Sequence, residues 1–279
     1  MLNHRYDSQT NLEASLLSDF EAATAVERVG EYTLRSTIPD GWQQGRGTFG
    51  GLVLGTLLRA ILRCEPDPER TARTLAGDIC GPVLPGPADI HVRMLRRGSS
   101  QSNLAAELTQ GGAVLATATA VLSKPRPGPR QFMRTPPSPE EWQGAPLLSI
   151  VPPLAPPFFQ HYEYRSSGPL GFVGHPVPET AGWIREQSPP SRMDAPALIA
   201  RMDAWWPTLF TIESGPRPCG TVQFTAELFA DPASLDPAVP LRYRAEMISM
   251  RDGFFVEARE LWHGEELVSL NQQTLVIIK

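Results

Sequence analysis

Residues 49–63 read FGGLVLGTLLRAILR, and the way this stretch folds decides the architecture of the chain. It is apolar almost all round, and residues 49–58 carry no charge. A helix of that kind buries most of its faces rather than one stripe. Strand candidates follow at about 73–80, 88–97, 101–110 and 113–123, and the last two meet at Gln110-Gly111-Gly112, a hairpin turn. The pattern then returns. Residues 195–211 are again apolar on nearly every side, and strand candidates follow at about 219–230, 240–250, 253–262 and 266–278, the last two joined through Gly264. One buried helix followed by four antiparallel strands, twice over, is an internal duplication. Two helices, each wrapped by a meandering sheet, define an α+β fold with segregated layers.

The tails of the halves can be overlaid. Residues 112–117 (GAVLAT) are set over 264–269 (GEELVS), and Thr119-Ala120-Val121 over Asn271-Gln272-Gln273. The second half offers amides where the first offers small or apolar groups. Between the halves, residues 125–157 hold a dense proline cluster that builds neither a helix nor a central strand. The organisation expected is therefore a first half over 1–124, a proline-rich connector over 125–157 and a second half over 158–279. A short strand is expected at 181–187, framed by prolines.

Composition narrows the function classes. A formal charge of −5 gives no polybasic attraction to phosphate, so nucleic acid is an unfavoured partner. Residues 1–17 lack the apolar core of a signal peptide, and the longest apolar run, ten residues, falls short of a membrane span. Cys64, Cys80 and Cys219 form no C-x-x-C pair, which argues against a disulfide framework and favours a reducing, cytoplasmic setting. The five histidines are scattered, so neither a metal nor a cofactor is expected.

Against this background one residue stands out. In ARMDAWWPTLF, residues 200–210, Asp203 has Ile199, Ala200, Trp206 and Pro207 as its helical neighbours. Asp194 is well typed as the cap of this helix. Pro207 has no N–H, so the carbonyl of Asp203 loses its helical donor and a kink is expected there. By residue type alone, Asp203 is either a structural hydrogen-bond acceptor at the start of a second helical segment or a functional acid in an apolar pocket.

These residues and their order resemble the type II (TesB-like) acyl-CoA thioesterases, a double-hotdog family. GRGTFGGLVLG (45–55) is similar to that family's entry into the first hotdog helix; Arg97-Gly98-Ser99-Ser100 and Gln110-Gly111-Gly112 are similar to its strand motifs; RMDAWWPTLF is similar to its second helix. The resemblance runs from about residue 25 to the end. It implies a double hotdog that hydrolyses acyl-CoA, or a related acyl-carrier thioester, by water held between an acid, a hydroxyl and an amide. Carried over residue by residue, these are Asp203, Thr225 in TVQFTAELF and Gln272 in SLNQQTL. Gln273 lies one step away, and a one-residue slip would exchange the two and turn the side chain to the other face.

No Ser–His–Asp machinery is implied, and the G-x-S-x-G motif is absent. Gly50 and Gly51 are candidates for backbone donors to the oxyanion, or for simple helix–sheet packing. Trp205, Trp206 and Phe210 are either acyl-pocket lining or plain core. Because residues 50–58 contain no acid, one active site per chain is expected, at the interface of the halves. The competing reading is a non-hydrolytic acyl-ligand binding protein. A hydratase is disfavoured because neither helix contains a histidine. A double hotdog already holds a pseudo-dimer within one chain, so a monomer suffices, and a homo-oligomer stays open.

Overall fold

The structure, a computed structural model, describes residues 18–278 apart from 127, 129, 131, 133, 137–141 and 150–154. The N-terminal stretch 1–17 and those parts of the expected connector lie outside the described residues. Of the connector, Trp142–Gly144 forms a 3-10 turn and Leu147 bridges to Arg165.

The chain opens with a short helix α1 (Asp19–Ala23), fixed by a capping box between Ser18 and Glu21. Strands β1 (Glu27–Arg28) and β2 (Thr33–Ile38) follow, then a small hairpin of β3 (Gln43–Gln44) and β4 (Gly47–Thr48). Next come the central helix α2 (Gly50–Cys64) and strands β5 (Thr71–Ile79), β6 (Gly86–Arg97), β7 (Gln101–Gln110) and β8 (Ala113–Ser123). The second half repeats this order. It has β9 (Tyr162–Ser166), β10 (Glu179–Glu186), α3 (Ala195–Asp203), α4 (Leu209–Ile212), β11 (Cys219–Leu228), β12 (Leu241–Arg251), β13 (Phe254–His263) and β14 (Glu266–Ile277).

Twelve strands form one antiparallel sheet in the order β1-β2-β6-β7-β8-β5-β11-β14-β13-β12-β10-β9. The order reads the same from both ends toward the middle, where β5 and β11 pair antiparallel with Thr225 opposite Ala76. The halves are thus related by a pseudo-twofold axis between β5 and β11. The helices obey it too. A Cβ on Gly51 would lie 2.9 Å from the Cα of Ala200, and one on Gly55 would lie 3.3 Å from the carbonyl of Pro196. Counting from each helix start, Gly51 corresponds to Pro196 and Gly55 to Ala200. Each contact is therefore the symmetry mate of the other. Glycine is required here because the two backbones approach closer than a side chain permits.

The expected strands appear with ends shifted by no more than two residues, including β10 at the predicted short strand. Besides the two-residue strands β1, β3 and β4, two strands were not expected, β2 (TLRSTI) and β9 (YEYRS). Both are short. Their only signal is alternation, with Leu34, Ser36 and Ile38 inward in β2 and Tyr162, Tyr164 and Ser166 inward in β9. The second helix also differs from expectation. It does not run through 195–211 but stops at Asp203 and restarts at Leu209. Pro207 supplies no N–H to the carbonyl of Asp203, and the chain uses that defect to end the helix at the acid.

The overlay of the halves is corrected by one position. In the β7–β8 hairpin Gln110 pairs with Ala113, and in the β13–β14 hairpin His263 pairs with Glu266. Gly111 and Gly264, both at φ 58°, are therefore the equivalent turn residues, and Ala113 lies over Glu266. Both hairpins also carry a bulge at matching places, Leu115 in one and Val268 in the other. Ala120 thus lies over Gln273, not over Gln272.

Candidate active site

Asp203 is the last residue of α3 and is only 7% exposed. Gln273 on β14, fully buried, donates from Nε2 to Asp203 Oδ1 at 2.9 Å. Thr221 on β11 in turn donates from its hydroxyl to Gln273 Oε1 at 3.0 Å. From the other half, the Gly51 N–H at the start of α2 donates to the Asp203 carboxylate. Gly50 is so close that a Cβ there would sit 2.8 Å from Asp203 Oδ2. Arg259 on β13 brings Nη1 to 3.7 Å from Oδ1. The site is therefore built by both halves: α3, β11, β13 and β14 bring side chains, and α2 brings backbone.

Each expected site residue can now be placed. Asp203, Gly50 and Gly51 are brought together. Thr225 and Gln272 are not. They are direct cross-strand partners, and Thr225 Oγ1 reaches the Gln272 carbonyl at 3.4 Å. Both belong to the face that alternates with the inward Phe224, Ala226, Asn271 and Gln273, and Gln272 is exposed. The amide beside the acid is Gln273, and the hydroxyl beside that amide is Thr221. In an unbroken strand Thr221 would share a face with Thr225. The ladder between β11 and β14 shifts register between Thr221 and Gln223, and this bulge turns Thr221 inward. No motif marks such a bulge. The turn pairing at Gly264 was the one readable signal for the amide.

Of the aromatic candidates, Trp205 is core. It is 2% exposed, donates from Nε1 to Thr180 Oγ1 at 2.6 Å and stacks on Tyr243 with ring centroids 4.9 Å apart. Trp206 is half-buried against Trp205, and its indole nitrogen finds no partner among the described residues. Phe210 is half-buried and packs beside Leu209, Phe255 and Leu275 in a small apolar cluster next to the helix break.

Burial pushes the Asp203 carboxyl above the usual carboxylate range. The Arg259 charge, the Gln273 hydrogen bond and the Gly51 N–H oppose that rise, and nearby Glu257 reinforces it. A buried acid with a shifted titration and fixed donors is the arrangement that general-base chemistry needs.

The pseudo-twofold identifies what stands at the corresponding place in the first half. Leu58 holds the position of Asp203, the ninth residue of its helix. Ala72, at the matching bulge between β5 and β8, corresponds to Thr221, and Ala120 to Gln273. All three are buried and apolar. The fold itself therefore does not require the acid, the hydroxyl or the amide. Among the described residues, no group of histidine, cysteine and acidic side chains is arranged to hold a metal ion.

Tandem helix-and-sheet halves meeting edge to edge define the double hotdog fold, and comparison with known proteins agrees. Over residues 38–123 the chain matches the acyl-CoA thioesterase N-terminal domain, and over 129–277 the acyl-CoA thioesterase C-terminal domain. The chain belongs to the acyl-CoA thioesterase family and is a thioester hydrolase. Among solved structures, a hot dog fold protein of unknown function from Alicyclobacillus acidocaldarius is similar at 25% identity and TM-score 0.85, covering 93% of this chain and 98% of that one. A protein provisionally described as a thioesterase II, from Thermobifida fusca YX, is 22% identical with TM-score 0.83 over 94% and 98% of the two chains. The acyl-CoA thioesterase II TesB2 of Mycobacterium marinum is 17% identical with TM-score 0.75 over 93% and 98%. A comparison with curated protein sequences finds no match.

Proposed function

We propose that this enzyme hydrolyses acyl-CoA with a water held by Asp203, Gln273 and Thr221. The observation that supports this reading is the hydrogen-bonded chain from Thr221 through Gln273 to Asp203, closed on its other side by the backbone of Gly50 and Gly51. Asp203 takes a proton from the water as its oxygen adds to the thioester carbonyl. Collapse of the tetrahedral intermediate breaks the carbon–sulfur bond, and the proton passes to the departing thiolate. Gln273 and Thr221 fix the water and the carboxylate. The Gly51 N–H holds the Asp203 carboxylate, while Gly50, at the start of the fifteen-residue α2, supplies a backbone donor and the positive end of a helix dipole where the oxyanion develops. Phe210 and Trp206, half-buried beside the break, line the adjacent acyl pocket, whereas Trp205 supports it from the core.

A thiol-release screen over acyl-CoAs of graded chain length, with acyl-carrier-protein thioesters in parallel, tests this. The parent is expected to turn over CoA thioesters. Asp203→Asn is expected to lose activity by about a hundredfold or more while keeping its fold. An Asn variant as fast as the parent on every thioester removes Asp203 from the mechanism.

A further inference from the structure

The break between α3 and α4 is spanned by a buried ion pair that the water-holding residues do not use. Arg259 is 1% exposed and Glu257 fully buried. Arg259 donates from Nε and Nη2 to Glu257 Oε2 at 3.0 and 2.8 Å. Its Nη1 donates to the carbonyl of Met202 at 3.2 Å and lies 3.7 Å from Asp203 Oδ1. Glu257 Oε1 accepts from both the backbone N–H and the hydroxyl of Thr208, each at 2.6 Å. The pair thus grips the chain on both sides of the interruption: Met202 where α3 ends, and Thr208 where α4 begins.

We propose that Arg259, locked by Glu257, is a positioning residue for Asp203: it clamps the interrupted helix and presents a fixed cation to the carboxylate. This rests on Asp203 being the base of the proposed hydrolysis. Both functions follow from geometry. A helix terminus buried without partners is costly, and the guanidinium satisfies the carbonyl next to Asp203. The guanidinium's planar fork cannot turn away, because three of its contacts are already fixed. Glu257 balances the charge, so Asp203 faces one cation and, just behind it, one anion.

Beyond Arg201, whose Nη2 lies 3.3 Å from Glu186 Oε1 and which with Glu186 also sits beside Tyr162, the other groups around Asp203 are neutral. Gln273 comes from β14 and the Gly51 N–H from α2. From β9 and β12 come the phenols of Tyr162, Tyr164 and Tyr243, which burial pushes far upward and keeps protonated. The Arg259–Glu257 pair therefore sets the local field, and its two members act on Asp203 in opposite directions.

That opposition is the test. The pH profile of kcat/KM for acyl-CoA hydrolysis is measured for the parent, Arg259→Met, Arg259→Lys and Glu257→Gln, with circular dichroism confirming the fold. Asp203 must be ionised to act, so activity falls on the acidic side as it protonates. Arg259→Met removes the cation, moves the acidic limb to higher pH and lowers kcat by about tenfold or more with a smaller change in KM. Glu257→Gln leaves the cation unbalanced and moves the limb to lower pH. Arg259→Lys keeps the charge but not the fork, so its limb stays near the parent's while kcat is only partly restored.

A folded Arg259→Met and Glu257→Gln whose limbs stay put, or move the same way, overturn the proposal. If Arg259→Met does not fold, the opposite-side shift in Glu257→Gln and the unshifted limb of Arg259→Lys still decide it. Asp203→Asn is the control that separates the two readings. A parent that cleaves no thioester, or an Asn variant that cleaves as well as the parent, defeats the site itself. A silent Asn variant with unmoved limbs defeats only the role of Arg259.

Discussion

Asp203 is the residue on which the site turns, and its surroundings explain why an acid is tolerated in an apolar helix. Its carboxylate receives an amide, a backbone N–H and a nearby guanidinium, so the cost of burial is partly offset by directed donors. Its partner could not be chosen from SLNQQTL alone, because adjacent strand residues face opposite ways. The two glutamines therefore make a sharp contrast. Gln273→Ala is expected to lower kcat by about tenfold to a hundredfold, since it removes a donor fixed on the base. Gln272→Ala, on the exposed outer face, is expected to leave steady-state kinetics within about twofold of the parent, as ordinary surface changes do. Equal losses in the two variants would contradict the inward placement of Gln273.

At the scale of elements, the decisive features are two defects in regular structure and one close approach. The helix break at Pro207 ends α3 at Asp203, and the β11 bulge turns Thr221 inward. The proline was legible in the sequence. The bulge was not, because it depends on how β11 pairs with β14. The close approach is at Gly51, where an added Cβ would meet the Phe49 ring at 2.5 Å and the Ala200 backbone at 2.9 Å. Backbone cannot yield as a flexible side chain can. Gly51→Ala is thus expected to destabilise by about 1–3 kcal/mol, read as a lowered midpoint in denaturant unfolding, despite the better helix propensity of alanine. It should also lower turnover, since Gly51 donates to Asp203. An unchanged midpoint would mean that the helices have room to separate.

At the scale of the whole molecule, the pseudo-twofold gives two equivalent places and furnishes only one. Leu58, Ala72 and Ala120 leave the first-half position without a base, hydroxyl or amide. Calorimetric titration with a non-hydrolysable acyl-CoA analogue is expected to give a stoichiometry of one per chain; a value of two would require a second, unsuspected site. The same burial that shapes the base also links stability to pH. The folded carboxyl of Asp203 titrates above its unfolded value of 3.8, so the folded state holds its proton more tightly. That contribution is fully present below the unfolded pKa and is lost as pH rises through the folded one. Asp203→Asn cannot ionise. Its Tm advantage over the parent should be absent in acid and grow as pH rises toward neutrality, followed by differential scanning calorimetry. An advantage independent of pH would show that Asp203 is not held against its own ionisation.

The sequence by itself determined the duplication, the two buried helices, almost every strand of both meanders, and the acid with its proline. All of these are written in local periodicity and in single residues that break it. It also singled out Gly50 and Gly51 as candidate backbone donors, but that they face Asp203 was decided by how the two helices pack. Only the tertiary structure decided which threonine and which glutamine join Asp203. A strand reverses its face with every residue, so a single hairpin turn read one position off, or a single bulge, reassigns every side chain beyond it. Tertiary structure also brought Arg259 and Glu257 to the helix break. Their sequence distance from Asp203 is more than fifty residues, and nothing local to β13 shows that these charges point inward.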